Sequence, residues 1–597
     1  MKNLHALARL QRKSLALGLT AALAMGAGLV AEAAPPPVPA GSLLHGGADA
    51  GRLLPGLEKL RHADRRPHPA GTIHMVTNCE DSGAGSLREA IAVAVDGDVI
   101  DLTGLTCSTI SLDTGKIEAP LRSLDIRGPG SDALLIDALG NDSAFYFSGK
   151  YQEDSQVSIS GMTIANGYAN GTGCLMASGN LSLEDVHVRD CVVNGSPGFG
   201  AGVTSAGNVL LRNSTITGNR SQGADNPAGG GVFAMKYLMG EGSTISNNTI
   251  TGTEGAAGGG ATAKGILLVD SVVSGNRAHA GTKIAQGGGL LAIGSYDLAD
   301  RAEAVMALYR TRVNDNVAES VDDEAHGGGI RAGALFDNPS YGSVLLTLST
   351  ISGNVATGGC PSCVSTGGGG GAAGDMIAYY STISDNEVGL ADGSNGTTAG
   401  GGLVVWPDMG SIGVAQSTVS GNRAIAPAAG TGAGVGGGIA VPGESVTIIG
   451  STITGNSAST FAGGVHPGPN TTSDVVSSII AGNTATIGAN VGIEGGGPAT
   501  FDGGHNLIGE VAAAIVVPAD TLDGDPRLLP LADNGGPTLT HALAPDSPAM
   551  DAGVDAGFDH DQRGPYYLRA YGAGVDIGAF ELQPEDRIFD NGFDPGE

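Results

Sequence analysis

Polar and apolar side chains alternate in a six-residue phrase that recurs along the chain and closes on asparagine. It reads STITGN at 214–219, STISNN at 243–248, SVVSGN at 271–276, STISGN at 349–354, STISDN at 381–386, STVSGN at 417–422 and STITGN at 451–456. Looser copies end at Asn166, Asn316 and Asn483. A period of two sends successive side chains to opposite faces, so Ile216, Ile245, Val273, Ile351, Ile383, Val419 and Ile453 are expected to stack inward as one aliphatic ladder. Helical periodicity is absent, β-branched residues fill the strands and glycine punctuates them. From Asn219 onward the closing asparagines return every 27 to 40 residues, most followed by a glycine run (229–231, 258–260, 287–289, 327–329, 367–371, 400–402, 436–438). Strand, turn, loop, glycine corner and strand make one coil of an all-β solenoid. A turn asparagine can adopt the left-handed conformation, so Asn219, Asn248, Asn276, Asn316, Asn354, Asn386, Asn422, Asn456 and Asn483 are expected to pair along the stack as structural corner residues.

Spacers of unequal length separate the asparagine and glycine corners, for example 220–228, 355–366 and 423–435. Because the phrases stay in register, that variation is expected to loop out along one edge. Glycine, at 102 of 597 residues, is enriched without a strict third-position period, and 41% hydrophobic content supports a core, so the chain is neither collagen-like nor a disordered glycine tract. Aromatic residues are 4% of the chain, with a single tryptophan, Trp406, which suits a narrow aliphatic interior and argues against a broad aromatic platform. From residue 71 onward 21 basic residues face 56 acidic ones, a net charge of −35 that disfavours nucleic acid and anionic lipid as partners.

The first 33 residues carry Lys2, Arg9, Arg12 and Lys13, then an apolar run and Ala31-Glu32-Ala33, the order of a cleaved secretory signal peptide. Residues 34–70 read as a flexible linker or propeptide, and no other segment is apolar enough to span a bilayer as a helix. The mature chain is therefore expected outside the cell or on its surface. Six cysteines behind such a signal favour disulfides, and joining neighbours (Cys79 with Cys107, Cys174 with Cys191, Cys360 with Cys363) is the simplest of the 15 connectivities. Cys360-Pro-Ser-Cys363 also has the spacing of redox and zinc sites, but no second CxxC or nearby histidine pair accompanies it.

Two segments carry a resemblance. VTNCEDSGAGSLREAIAVAVDGDVIDL at 76–102 resembles the CSLREA-type start of secreted right-handed parallel β-helix proteins, with Gly85 in place of the cysteine before Ser86-Leu87-Arg88. Ser86 and Glu89 form a capping box for a short helix, with Ile91 and Val95 expected on its buried side, closing the first coil. GHNLIG at 504–509, the stretch 525–553, DQRG at 561–564 and VDIGAFE at 575–581 are similar to the terminal region of β-helix proteins called choice-of-anchor Q. The resemblances imply a single-stranded right-handed parallel β-helix over 71–500 with a helical N-terminal cap, a C-terminal cap region over 501–583, and a variable end. Residues 584–597 resemble the short IFxxGFE-type tails of exported bacterial proteins, a candidate sorting tail. With about 12 to 14 coils spaced ~4.8 Å apart, the stack would be roughly 60 to 70 Å long.

Parallel β-helices include polysaccharide lyases and hydrolases, so catalysis is the main competing reading. The NTD, GHG and RIK phrases of galacturonan hydrolases are missing, and no spaced set of carboxylates with a basic residue marks a lyase. The best acidic constellation is Glu319, Asp322, Asp323 and Glu324 with His326; Asp520, Asp523 and Asp525 form a second oxygen-rich turn. Asp322, Asp323, Glu324, Asp520, Asp523 and Asp525 are the candidate metal ligands, with Ca²⁺ the cation they would take, although solvated charge and turn chemistry explain both sets and no cofactor is required. No catalytic residue is assigned. The expected function is that of an adhesin-like scaffold whose partner is a polysaccharide, matrix or cell-surface ligand; a polysaccharide lyase or hydrolase is the alternative, and a self-assembling surface protein the third case.

Overall fold

The computed structural model describes residues 71–583 apart from 151, 153–154, 294–303, 334–340, 373, 392–393, 407–409 and 428–430. The expected signal peptide (1–33), linker (34–70) and tail (584–597) lie outside the described residues. Nearly every strand pair is parallel and joins one coil to the next, and the chain is a right-handed parallel β-helix. The aliphatic ladder is longer than the repeated phrase suggests. Ile110, Ile136, Ile164, Val188, Ile216, Ile245, Val273, Val313, Ile351, Ile383, Val419, Ile453, Ile480 and Ile508 stand in register, one per coil. Each is at most 3% exposed, and burying each side chain is worth about 1.5–3 kcal/mol.

Nine asparagines form the expected ladder. From Asn219 to Asn456, each amide Nδ2 donates to the next asparagine's Oδ1 at 2.8–3.0 Å. All nine also donate to the carbonyl of the aliphatic ladder residue one coil back, at 2.9–3.1 Å. The left-handed residue is not the asparagine but the one before it: Gly218, Asn247, Gly275, Asp315, Gly353, Asp385, Gly421, Gly455 or Gly482. That residue makes the bend, leaving the ladder asparagine free to point inward. Asn166 is left-handed too and sits in register with Asp190 and Gly218, so the looser copy there is offset by one and Gly167 takes the ladder position. The ladder closes at one end on Cys191, whose N–H donates to Asn219 and whose thiol is joined to Cys174, and at the other on Asn490.

A second ladder runs beside it. The first residue of each phrase offers a side-chain oxygen to the backbone N–H one coil back, through Ser243, Ser271, Ser349, Ser381, Ser417, Ser451 and Ser478, and Asn506 of the GHNLIG segment ends the row. Opposite the asparagines, the glycine corners leave no room for side chains. A Cβ on Gly288 would lie 2.3 Å from the Gly328 carbonyl oxygen, and one on Gly289 would lie 3.0 Å from the Asn316 amide carbon. Glycine run and asparagine ladder thus require each other.

The spacers are not simple loops. Each carries a strand of a ten-stranded sheet and, in six coils, a strand of a second sheet made by Ala256–Ala257, Ala285–Gln286, Ala325–His326, Val364–Thr366, Thr397–Ala399 and Ala433–Val435. Length variation is divided between the loops joining these two sheets and the stretches of sequence that follow Leu290–Ala292 and Ile330–Ala332.

At the N-terminus a helix spans Leu87–Val93, with Ser86 accepting from the Glu89 N–H and Glu89 accepting from the Gly85 N–H. Leu87, Ala90 and Ile91 are buried, whereas Val95, expected on the inner side, lies past the helix end and is exposed. Arg88 fastens the helix to the next coil through Asp81 and the carbonyls of Gly115 and Lys116. At the other end parallel pairing continues to Ile515–Val516. The remaining chain turns back along the flank, where Thr382, Thr418 and Thr452 of the repeated phrase bond Leu539, Gln562 and Ala579.

Candidate functional site: the glycine-corner groove

Across each glycine corner the chain folds so that outward-facing side chains on either side meet. Ala228, Ala257, Leu291 and Ile293 form one such cluster, and Ala399, Val404, Val435 and Ala440 another, both separate from the interior core. One row of this groove follows the middle position of the strand after the glycines: Leu291, Arg331, Gly371, Val404, Ala440 and His466 in successive coils. The facing row contains Ala257, Gln286, His326 and Thr366. Apolar and small residues flank a polar centre.

At that centre Glu324, His326, Arg331, Thr366 and Trp406 converge. The His326 Nε2 lies 3.0 Å from Glu324 Oε2 and its Nδ1 lies 3.0 Å from Thr366 Oγ1. A carboxylate only accepts, so Nε2 carries the proton and the threonine hydroxyl donates to Nδ1. The ring meets Trp406 edge-on with centroids 5.0 Å apart. Arg331 lies over the indole face at 3.5 Å, a cation–π contact. Gly371 makes this possible: a Cβ there would be 3.1 Å from the indole and 3.4 Å from Arg331 Nη1.

Arg331 is 3% exposed, and its Nε and Nη1 have no hydrogen-bond partner among the described residues. Burial pulls its guanidinium down to about 9, opposed by the nearby Glu324 charge, so it remains a cation at neutral pH. Burial also lowers His326, against the hydrogen bond it donates to Glu324, keeping the imidazole neutral. Glu324 is lowered overall: burial raises it, but the His326 hydrogen bond, the Val364 N–H and the charge of Arg331 outweigh that. Four coils from Arg331 on the same row stands His466, 4% exposed, whose ring nitrogens find no partner among the described residues beyond its own backbone. Burial takes it down to about 4, so it too is neutral. Two buried, unmatched polar side chains therefore mark positions about 19 Å apart along the groove, at ~4.8 Å per coil.

Residues 144–301 match the family model described as right handed beta helix region. No curated protein matches the chain. Among solved structures, the crystal structure of pectate lyase Pel9A is similar over 86% of this chain and 97% of its own, at 12% identity and a TM-score of 0.27. That overlap is too loose to carry the lyase's chemistry to this β-helix.

The acidic residues singled out from the sequence go separate ways. Glu324 enters the groove, Asp323 accepts from the Glu324 N–H, Asp322 is exposed, and Glu319 pairs with Arg277 beside His279. Asp520 accepts from the His505 N–H, Asp525 from the Arg527 N–H, and Asp523 is exposed. No group of three or more His, Cys, Asp or Glu is gathered as a metal site among the described residues. The cysteines form three local disulfides, Cys79–Cys107, Cys174–Cys191 and Cys360–Cys363. The last lies in the loop leading to Val364, whose N–H donates to Glu324. No helix among the described residues is long and apolar enough to cross a membrane.

Sequence reasoning passed over Arg331, Trp406 and His466. A signal was available. Counting four residues on from the first glycine of each corner gives Phe233, Thr262, Leu291, Arg331, Gly371, Val404 and Ala440. The next coil has left-handed Ala462 in the glycine's place and gives His466. Arg331 and His466 are the two ionisable residues in that column.

Proposed function

We propose that this β-helix is an exported scaffold that binds a glycan along the glycine-corner groove and does no chemistry on it. The observation that carries the reading is Trp406, half-buried on the outer side of a glycine corner beside Arg331, an apolar surface of the kind that packs against a sugar ring. The export signal read in residues 1–33 and the three disulfides fit an extracellular setting.

A polysaccharide-cleaving enzyme is the second reading, favoured by the His326–Glu324 pair, which has the composition of an acid–base dyad. The test is to mix the full chain with a panel of neutral and acidic polysaccharides, measuring retention in affinity gels and the appearance of new chain ends. Retention that weakens in Trp406→Ala, with no new ends, is the expected result. New ends lost in His326→Gln would make the protein an enzyme, and no retention on any polysaccharide would remove the glycan reading.

A further inference from the structure

We infer that an apolar outer face on the middle coils is the docking surface of the chain's own residues 53–66, so that the segment read as linker or propeptide is a strap fastened to the β-helix.

The face lies on the strands that precede each phrase. Leu210, Met239, Leu267 and Ala307 stand in register in one outward row, with Val269 and Tyr309 in register in the next. They alternate with interior residues such as Leu211, Ile266 and Leu308, yet each is at most 8% exposed. Stack neighbours border an outward side chain without lying over it, and in the coils before Leu210 the same row carries Asp125, Ser158 and Ser182, all partly exposed. In the coils after Ala307 the C-terminal region supplies the cover, where Phe558 and Ala556 pack on Ile377 and Tyr379. The two apolar clusters are continuous through Leu345 and Leu348, which pack against both. Among the described residues, though, the cluster from Leu210 to Tyr309 and the side chains packed on it all come from this one sheet and its bordering turn. It has the burial of an interface and only one of its sides.

Reach and charge select the other side. The described chain begins on this very row: Ile73 is in register with Val99, Asp125, Ser158, Ser182 and Leu210, five coils or about 24 Å at ~4.8 Å per coil. Residues 61–70 span that distance at about 3.3 Å per residue, which brings Leu53, Leu54, Leu57 and Leu60 to the apolar row. Residues 52–66 carry Arg52, Lys59, Arg61, Arg65 and Arg66 against Glu58 and Asp64, and the body they meet carries −35 from residue 71 onward. The tail 584–597 also has apolar residues, Ile588, Phe589 and Phe593, but its five acidic residues against Arg587 are repelled by that body. A second copy would bring another −35. Leucines set among basic residues match an apolar face on an acidic surface.

Trypsin tests the docking, because the segment carries its cleavage points and Arg587 in the tail supplies a reference. In the full chain, cleavage after Lys59 and Arg61 should be at least about 10-fold slower than in Leu57→Asp/Leu60→Asp, with Arg587 cut at the same rate in both. That double variant alters no residue of the coils, so their folding is not at stake. Met239→Glu, on the outward side of its strand, should release the segment to the same extent in a chain whose circular dichroism and Trp406 emission are unchanged. Equal cleavage of the segment in the full chain and the double variant overturns the inference. Protection that survives Met239→Glu in a folded chain places the segment elsewhere and also overturns it. Slow cleavage at Arg587 beside fast cleavage at Lys59 would make the tail the occupant instead, and a dimer by light scattering with the segment open to trypsin would make it a second copy.

Discussion

Arg331 and Arg563 are both buried arginines set over aromatic rings, one at a glycine corner and the other in the C-terminal region, yet they are in opposite states. Arg563 is fully buried between Tyr567 and Phe580, pairs with Asp561 at 2.8 Å and donates to the Glu581 carbonyl. Its corner is filled by the chain itself. The outward threonines of the phrase are buried at Thr382, Thr418 and Thr452, where the C-terminal region lies on them, but are partly exposed at Thr215, Thr244 and Thr350. Arg331 is stacked on a ring and buried as well, but Glu324 acts on it only as a nearby charge, and its Nε and Nη1 meet no acceptor among the described residues. The difference separates a buried charge whose hydrogen bonds the fold has completed from one whose donors it leaves unmatched. It also explains the DQRG and VDIGAFE segments: Asp561, Gln562, Arg563, Asp576 and Glu581 are interior bonds of the C-terminal region.

Removing the two arginines is the strongest way to break the comparison. Arg563→Met strands Asp561 and should cost about 3–5 kcal/mol, whereas Arg331→Met strands no hydrogen-bond partner, removing only a charge from beside Glu324, and should cost far less. Urea unfolding followed by hydrogen exchange over 551–583 and 325–332 measures both, and equal losses would erase the distinction. Next in size is Asn386→Ala, which leaves both the backbone N–H and the amide of Asn354 without their acceptor and should cost about 1–3 kcal/mol. Thr350→Ala on the outer face should stay within about 0.5 kcal/mol.

The two corners should also respond to pH with opposite sign. Burial, then the neighbouring Asp576 charge, push Glu581 up to about 8, and burial raises Asp561 and Asp576 as well. A carboxyl raised on folding stabilises below its unfolded value and loses that contribution as pH rises through its folded value, so the flank should weaken toward pH about 8. His326 and His466 are lowered on folding; their contribution is full above the unfolded value and fades as pH falls toward about 4 for His466. Hydrogen exchange, corrected for intrinsic rates, should therefore show the flank better protected in mild acid and the groove better protected in mild base. A shared direction would contradict the assignment. A local effect is expected from Gly371→Ala, which crowds Trp406 and Arg331: a shifted tryptophan emission, with stability changed by less than about 0.5 kcal/mol.

The interior of the stack was readable because each phrase repeats in one stretch of chain: Ile216 announces its inward face through its own neighbours, and Asn219 through its recurrence. The serine ladder was equally visible in the phrase but has no meaning until coils are stacked, since a serine beside a strand has many ordinary uses. The groove was harder. Glu324 is legible as a candidate metal ligand with His326 beside it, but Arg331, Gly371 and Trp406 come from three successive coils of unequal length, and their meeting depends on register across the corner. The scarcity of aromatic residues was read as a narrow interior, which is correct for the core, while the lone Trp406 stands on the groove side of the wall.

The return of the C-terminal region has a mechanical meaning. Coils in a solenoid touch only their neighbours, so a pull on the last turn would peel it away and then the next. Here the final stretch is pinned to Thr382, Thr418, Thr452 and Ser477, one anchor in each of four successive coils. Tension entering from that end is shared among four turns as by a splint, and those turns should yield together as one unit rather than unravel in sequence.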